Sequence, residues 1–524
     1  MRTPRHTPSE LLRGQHAGAS AGHRAVPCAG FPDAGRSAAS PQPAPAPRLG
    51  LALLAVALLG GCALPPVSQD YQRPAVDLPA AYPAADLAPG AAGPLGDTRS
   101  LADQPWRQVF TDAPLQALIE EALKGGPDGL LAAAQVREAA AQAGIARAPL
   151  LPGVSLNLNT SPIARLPGDR VSSSFLAGAA VSWELDLWGR IARSSEAARA
   201  DLMSREENQH GVTTSVIGQV AGLYYQLAAL RDIQVVTLAA AANQREGLRL
   251  IQRTSQAGIS TAAEERQQES ALAATEARLP PLRRQIVETQ NALALLLGRP
   301  PGGLKVDTPP GLILPGAAPA GLPSALLERR PDLRRAEAQI VAANARVGEA
   351  RARFFPSISL TALLGGVSTS LGDALTGQGA TVASLGPGIV QPLFQGGALT
   401  FNRDAALARL DQALIVYRKT ILSALGEVAD SLSAYETSAE LLEVQGRRST
   451  AAREALRLAD LRFRAGVTSF LEVLDAQRQQ LAADTEVAQS LLERRQALIR
   501  LYLALGGGWQ ADAAASVASQ PGKP

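Results

Sequence analysis

The sequence is poor in aromatic, histidine and cysteine residues, and these shortages exclude several classes of function. Only 4% of its 524 residues are aromatic although 46% are hydrophobic, so the apolar content is mainly alanine and leucine. Alanine costs little to order in a helix and lets helix backbones approach one another, so this composition favours closely packed helices. The net charge of +3 is small, and no basic face with interleaved aromatic residues stands out. A nucleic-acid partner is therefore not expected.

The sequence contains few histidines and cysteines that could act in catalysis. Three of the 4 histidines precede Cys62, and His210 lies in a polar helical run that we interpret as a solvated surface. A chain cleaved before Cys62 keeps one histidine and one cysteine, too few for a His/Cys metal site, a Cys-His nucleophile pair or a disulfide. No nucleophile motif is present and no phosphate-binding glycine loop follows a strand. We expect no catalytic residue, no metal and no cofactor other than a covalent lipid on Cys62.

That cysteine ends an apolar leader. Residues 49–59 contain only Leu, Ala, Val and Gly after Arg48, a run too short for a membrane-spanning helix but typical of a signal peptide. Leu59-Gly60-Gly61-Cys62 is similar to a lipobox, in which the cysteine receives diacylglycerol; a signal peptide with an incidental cysteine is the alternative. Ala63 follows, not the aspartate that retains such proteins in the inner membrane, so the pattern favours an outer-membrane lipoprotein.

Composition divides the chain into five predicted segments. Residues 1–61 form the leader, whose first 48 residues are long for a signal peptide and indicate a misassigned translation start. Residues 62–105 are rich in proline and alanine and read as an extended tether. Residues 106–310 and 311–510 form two structural repeats, and 511–524 a disordered tail. No run after Cys62 could span a membrane as a helix, so any membrane crossing must use strands.

Two motifs recur at one fixed offset and indicate an internal duplication. Gly189 and Gly397 close similar segments 208 positions apart (397 minus 189), and Gly258 and Gly466 close a second pair at the same offset (466 minus 258). A constant offset over two separate motifs indicates that each half has the same order of elements. That order is helix, strand, loop, strand, long helix, turn and helix.

The strands alternate in polarity. Val154, Leu156 and Leu158 alternate with polar Ser155, Asn157 and Asn159 after Pro152, and Ile358, Leu360 and Ala362 do so after Pro356. This pattern is typical of a barrel that touches lipid outside and water inside, although any half-buried strand shows it too.

The helices are too long for an ordinary globular domain. Residues 190–256 and 401–464 contain no proline and little glycine, which predicts about 100 Å of helix in each half. The other predicted helices are 115–148, 261–297, 324–354 and 469–505. One chain cannot bury all sides of such helices, and four strands cannot close a barrel. The sequence therefore predicts self-association, without giving the number of copies.

Three segments resemble the outer-membrane efflux protein family, and the lipobox places the chain nearer the lipidated OprM/NodT-like branch of that family than its unlipidated TolC branch. They are the segment from Glu328 to Gln339 that continues to Phe355-Pro356, the segment from Leu461 to Arg478, and the opening residues Trp106, Phe110, Asp112, Leu115 and Leu118. The resemblance covers about residues 62–509. The implied fold is mainly α with a β-barrel portion: a long α-helical periplasmic barrel continuous with a transmembrane β-barrel, four strands per protomer, built from two tandem repeats.

The resemblance implies a passive exit duct of a tripartite efflux pump in the outer membrane. The family assembles as a homotrimer in contact with outer-membrane lipid, and its partners are a periplasmic membrane-fusion adaptor and an inner-membrane transporter, usually of the resistance-nodulation-division class. The resemblance leaves open the exported substrate, the identity of both partners and whether the adaptor alone opens the gate.

Family motifs also assign candidate site residues at the two helix–turn–helix tips. Glu472, Asp475 and Glu264 match an acidic ring at the periplasmic gate, which would attract cations; the alternative is a solvated helix face. Gly258 and Ser260 at one tip, with Gly466 and Thr468 at the other, match the adaptor-docking turns, although a glycine there is also an ordinary helix stop. Phe463 and Thr468 stand where the family can carry tyrosine and arginine, so a gate-locking polar network is in doubt.

Other functions fit the sequence less well or differ only in their partners. An enzyme is disfavoured because the acidic residues are spread along helices at surface-like spacing. A lipid-anchored periplasmic coiled coil would explain the helices and Cys62 but not the alternating strands after Pro152 and Pro356. A protein-secretion duct, a heavy-metal exporter or a siderophore exporter would use the same fold with other partners.

Overall fold

The computed structural model describes residues 70–75, 78–79, 100–163, 172–258, 260–304, 306 and 323–509. The predicted leader, Cys62, most of the tether and the predicted tail lie outside the described residues. Within them, no helix is both long enough and apolar enough to span a membrane.

The two halves have the predicted order of elements. The first half contains helices α1 (Trp106–Val109), α2 (Ala113–Gly125) and α3 (Pro127–Arg147), strands β1 (Gly153–Ile163) and β2 (Ser172–Leu185), and helices α4 (Arg190–Gln256), α5 (Ala262–Glu276) and α6 (Leu279–Leu296). The second contains α7 (Leu326–Arg329), α8 (Pro331–Ala352), β3 (Ser357–Ser368), α9 (Leu371–Thr376), β4 (Ala380–Val390), α10 (Ala398–Arg464) and α11 (Phe470–Ala504). Single 3₁₀ turns cover Leu101–Asp103, Ala148–Leu150 and Pro323–Ala325.

The two long helices confirm the duplication. Both α4 and α10 have 67 residues, which at 1.5 Å per residue is about 100 Å. Gly189 and Gly397 precede them with φ of 75° and 85°, a left-handed conformation that glycine adopts without steric cost. The helices therefore begin and end at equivalent positions, and α10 starts three residues before the predicted Phe401.

Three predicted helices are interrupted. The helix predicted over 115–148 is divided at Gly126 into α2 and α3, and that over 324–354 at Arg330 into α7 and α8. The return helix predicted over 261–297 is also two helices, because Pro280 and Pro281 fall in its middle. Proline has no N–H to donate and fits only in the first turn of a helix, so α5 ends and α6 begins there. The equivalent α11 has no proline and is continuous over 35 residues.

The four strands form one antiparallel sheet in the order β1-β2-β3-β4. Its register places apolar residues in rows across all four strands, because directly paired residues lie on the same face. Two such rows are Val154, Val181, Ala362 and Leu385, and Leu156, Ala179, Leu364 and Ala383. One intervening row is polar or small throughout, with Ser182, Thr361 and Gly386, and the others mix polar or small residues with Leu176, Leu363, Val367 and Val382. The predicted alternation is confirmed, and its apolar side is exposed in the single chain: Leu156 is 85% accessible.

The main hydrophobic core lies at mid-length of both long helices, where α4, α8, α10 and α11 meet α1 and α2. We call it the central core. The opening motif supplies Trp106, Phe110 and Leu115, each fully buried. Phe110 packs edge-on against Tyr502, with ring centroids 5.8 Å apart. The opening motif therefore packs the start of the first repeat against the end of the second.

Arg330 ties three helices together beside this core. Its guanidinium donates to the Asp332 carboxylate at 2.8 and 3.0 Å, to Glu427 Oε2 at 2.7 Å and to the Ala504 carbonyl at 2.8 Å. The side chain is only 9% exposed. Through Arg330, the segment from Glu328 to Gln339 thus joins the start of α8, the middle of α10 and the end of α11.

We expect Arg330→Ala to lower the free energy of unfolding by about 3 kcal/mol, because a buried charged partner of two carboxylates is removed. Thermal unfolding followed by circular dichroism in detergent measures the effect. Arg403→Ala is the control, since its pair with Asp404 is exposed and should contribute less than about 1 kcal/mol. Equal losses in the two variants would contradict the assigned role.

Candidate functional site at the helical tips

The first tip joins α4 to α5 through a glycine in the left-handed conformation. Gly258 has φ of 74°, and its N–H donates to the Ser255 carbonyl at 2.9 Å. Ser260 closes the turn, because its N–H donates to the Thr254 carbonyl at 3.3 Å and its hydroxyl lies 2.6 Å from the Thr254 hydroxyl. Both predicted docking residues of this tip therefore lie in a hydrogen-bonded turn.

The second tip has a Schellman cap, which satisfies the last carbonyls of a helix. Gly466, with φ of 71°, donates to the Phe463 carbonyl at 2.9 Å, and Val467 donates to the Arg462 carbonyl at 2.9 Å. Val467 is 68% exposed, so this glycine-centred turn lies at the solvent-exposed surface. Thr468 follows directly and donates to the Glu472 carboxylate.

Glu264 has a local structural role that its motif position did not reveal. It forms a capping box with Thr261: the carboxylate accepts from the Thr261 N–H at 2.8 Å, and the Thr261 hydroxyl accepts from the Glu264 N–H at 3.3 Å. A capping box satisfies two backbone donors at a helix start. Its predicted role at a gate stays a prediction.

Glu472 and Asp475 lie one turn apart near the start of α11 and each has a basic partner. Glu472 Oε1 accepts from Arg462 at 3.0 Å, across the turn. Asp475 accepts from Arg478 at 2.7 Å and from Gln479 at 2.5 Å. Their side chains are 42% and 49% exposed, so these ion pairs are solvated and contribute little to stability. Within the described residues no hydrogen bond or ion pair joins Glu264 to either acid.

A small apolar cluster supports the second tip. It consists of Ile251, Ala459, Phe470, Val473, Leu474 and Ala476. Phe463 packs on its edge, with its ring centroid 5.1 Å from that of Phe470. Phe463, where the family can carry a hydrogen-bonding tyrosine, therefore serves packing here.

The tips contain no site for metal chemistry among the residues that the structure describes, which include no cluster of three metal-ligating side chains. His210 lies elsewhere and is not the freely solvated residue expected. Its ring stacks on Trp509, with centroids 4.6 Å apart, and Nδ1 is 3.2 Å from Glu207. The contact could not be found from sequence, because Trp509 is 299 positions away (509 minus 210).

Comparison with known proteins decides the family. The outer membrane efflux protein family matches residues 118–299 and 322–507. The chain belongs to this family. The match falls in two segments, one in each repeat, and members of the family are channels of the outer membrane. The protein is accordingly an outer-membrane channel of an efflux pump.

Relatives and solved structures agree with this assignment. The toluene efflux pump outer membrane protein TtgI of Pseudomonas putida is 36% identical over 472 residues, which cover 88% of this chain and 98% of that protein. The pyoverdine export outer membrane protein OpmQ of Pseudomonas aeruginosa is 36% identical over 420 residues, 78% of this chain and 88% of that protein. The outer-membrane channel OprN has a TM-score of 0.77 at 32% identity and covers 86% of this chain and 100% of its own. The open state of MtrE from Neisseria gonorrhoeae has a TM-score of 0.75 at 31% identity, with 84% and 98% coverage.

Sequence reasoning missed Arg462 as the partner of Glu472. The two are ten positions apart on different helices and meet only because the Schellman turn reverses the chain. In the sequence this pair is only an arginine ten positions before a glutamate, with a glycine between them. Such a pattern is too common to single out the pair.

We expect Phe470→Ala to loosen the second tip without unfolding the channel. Phe470 is 4% exposed, and truncating a buried phenylalanine costs about 3–5 kcal/mol. Its neighbour Leu471 is 58% exposed, so Leu471→Ala is a matched control. Hydrogen exchange measured by mass spectrometry should show faster exchange at the start of α11 in the first variant only. Unchanged exchange in Phe470→Ala would contradict the packing role.

Proposed function

We propose that this protein is the exit duct of a tripartite efflux pump and works as a homotrimer. The observation that carries the proposal is the sheet with one apolar face, joined directly to two 67-residue helices that a single chain leaves uncovered. Three chains of four strands would supply twelve, enough to close a transmembrane barrel, since the smallest have about eight. The helices would continue this barrel as a periplasmic tunnel.

The duct would have a periplasmic adaptor and an inner-membrane transporter, of the resistance-nodulation-division class, as partners. We assign adaptor docking to the two glycine turns, with Gly258 and Ser260 at one and Gly466 and Thr468 at the other. Their support is geometric: each turn is the exposed end of a helical hairpin. Outer-membrane lipid would cover the apolar face of the sheet.

The cargo would be small organic molecules delivered by the transporter. The relatives are named for cargoes as different as toluene and pyoverdine, although their identity to this chain is the same. Selection would therefore lie in the transporter, and the duct would conduct passively without performing chemistry.

We place the gate at the tips, with Glu472, Asp475 and Glu264 as its acidic ring. Copies of Glu472 and Asp475 around a threefold axis would attract cations and repel anions. Arg462 weakens this field, because it lies 3.0 Å from Glu472. The duct should therefore be cation-selective, with a selectivity that Arg462 limits.

Planar-bilayer recordings of the purified protein test both the duct and its gate. We expect small cation-selective currents in the wild type, less selectivity in Glu472→Ala/Asp475→Ala, and more in Arg462→Ala. Asp404→Ala, at the opposite end of α10, is the control and should resemble the wild type. Conductance with unchanged selectivity in all variants would show that the gate lies elsewhere in the duct. Absence of conductance, even in the loosened Phe470→Ala variant, would favour the lipid-anchored coiled coil.

We also propose that Cys62 carries the covalent lipid. The chain has 2 cysteines, Cys28 and Cys62, and only the second follows an apolar run and two glycines. Metabolic labelling with palmitate should therefore be lost in Cys62→Ser and retained in Cys28→Ser. Label retained in Cys62→Ser would show that the lipobox is not used.

A further inference from the structure

The short helix α9, between β3 and β4, lies on the apolar face of the sheet. A third row of paired residues follows the two already described on this face, with Leu158, Ala177, Gly366 and Thr381. Gly366 is on the same face as Leu364, because residues two apart on a strand point to the same side. A methyl group added to Gly366 would lie 2.8 Å from the carbonyl oxygen of Ala374 in α9. The helix therefore packs over this third row.

Close contacts hold α9 against the strands. It packs on both β3 and β2, and Ala374, whose carbonyl meets Gly366, is 4% exposed. The N–H of Gly379 donates to the Asp373 carbonyl at 3.0 Å, and the N–H of Ala374 donates to the Ser370 carbonyl at 3.2 Å. These bonds tie both ends of α9 to the neighbouring turns, so the helix is a fixed part of the outer surface of the sheet.

The length of β3 sets the level of α9 along the sheet. Ser357, the first residue of β3, follows the end of α8, and Gly366 lies nine residues further (366 minus 357). Nine residues of strand span about 30 Å, which is about 23 Å across a membrane at a strand tilt of about 40°. The apolar band of a transmembrane barrel is about 25 Å tall. The helix α9 therefore lies at the edge of this band that is farther from the long helices.

The two flanks of α9 differ in polarity. Leu371 and Leu375 share one flank, because residues four apart lie on the same side of a helix. Asp373 lies on the other flank, since two residues turn through about 200°. Leu375 is 62% exposed and Leu371 is 40% exposed. Asp373 is the single charged residue between β3 and β4. An exposed apolar flank opposite an acidic one is typical of a helix that lies in a membrane interface.

We infer that α9 is an interfacial helix whose leucine flank contacts the acyl chains of the outer leaflet, while Asp373 faces the headgroups. This inference rests on the proposed barrel and adds a lipid contact that is made outside its strands. Continuity with the apolar face identifies the partner, because Leu371 and Leu375 extend the exposed apolar surface that includes Leu364, itself 62% exposed. A helix at this level in each copy would help to fix the depth at which the barrel sits in the membrane.

Spin labelling tests this contact in vesicles of phosphatidylethanolamine and phosphatidylglycerol. The label is attached to a genetically encoded keto amino acid at Leu375, Asp373 or Leu364 of the full chain, so that both native cysteines stay unchanged. Its collisions with oxygen, which concentrates among acyl chains, are compared with its collisions with a water-soluble nickel chelate. We expect the ratio at Leu375 to approach that at Leu364 and to exceed that at Asp373 at least about threefold, because only the leucine flank would lie in hydrocarbon.

The label positions separate this inference from the proposed duct. A ratio at Leu375 as low as that at Asp373, with a high ratio at Leu364, would overturn the interfacial helix and leave the barrel intact. Few collisions with either reagent at Leu375 would show that protein covers the leucine flank, which also overturns the lipid contact. A low ratio at Leu364 as well would overturn the barrel and the proposed function with it.

A pair of glycine variants tests how α9 is held. Gly366→Val should displace α9, because the backbone carbonyl of Ala374 leaves no room for a side chain, and the ratio at Leu375 should then fall towards that at Asp373. Gly386→Val is the matched control on the same sheet, since a methyl group added to Gly386 would meet no atom within 4 Å. The ratio at Leu364 should stay high in both variants. An unchanged ratio at Leu375 in Gly366→Val would contradict the packing of α9 on the apolar face.

Discussion

The length of the two long helices is the constraint on which the rest of the structure depends. A helix of about 100 Å keeps its shape only where neighbours cover its apolar side. The helix α4 packs against α3, α5 and α6 of its own repeat and against α8 and α11 of the other repeat, whereas α10 packs mainly against α8 and α11 of its own repeat. The second repeat therefore covers part of α4 within the chain, while α10 stays largely uncovered.

The contacts that stabilise these helices are unevenly distributed along their length. The central core is apolar and aromatic, with Trp106, Tyr224 and Tyr502 almost fully buried. Between this core and the apolar cluster at the tips, buried side chains include polar ones: Gln268 is fully buried and donates to the Gln244 carbonyl at 2.5 Å, and Asp484 binds Ser449 at 2.6 Å. Polar contacts of this kind contribute less net stability than apolar burial of the same size. We therefore expect the stretch between the central core and the tips to be less stable than the core, and moving parts are generally found in such regions.

Much of this architecture followed from sequence, and the reasons are local. Glycines at equivalent positions fixed the ends of α4 and α10, and alternation fixed the faces of the strands. The break before Pro280 is predictable, because the proline pair is visible in the sequence. The role of Arg330 is not. Arg330 bonds to a carbonyl 174 residues away (504 minus 330), and no local pattern records such a contact.

The ion pair between Glu207 of α4 and Arg334 of α8, 2.7 Å long, also solves a problem that duplication creates. The helices α3 and α8 occupy equivalent places in the two repeats and both begin with Pro-Asp, so each could dock where the other belongs. Leu130 is the fourth residue of α3, as Arg334 is of α8. In the place of Arg334 it would leave Glu207, only 10% exposed, without its arginine partner and against an apolar side chain, which is costly. Charge at this one position therefore distinguishes two similar helices, so that α8 and not α3 fits against Glu207.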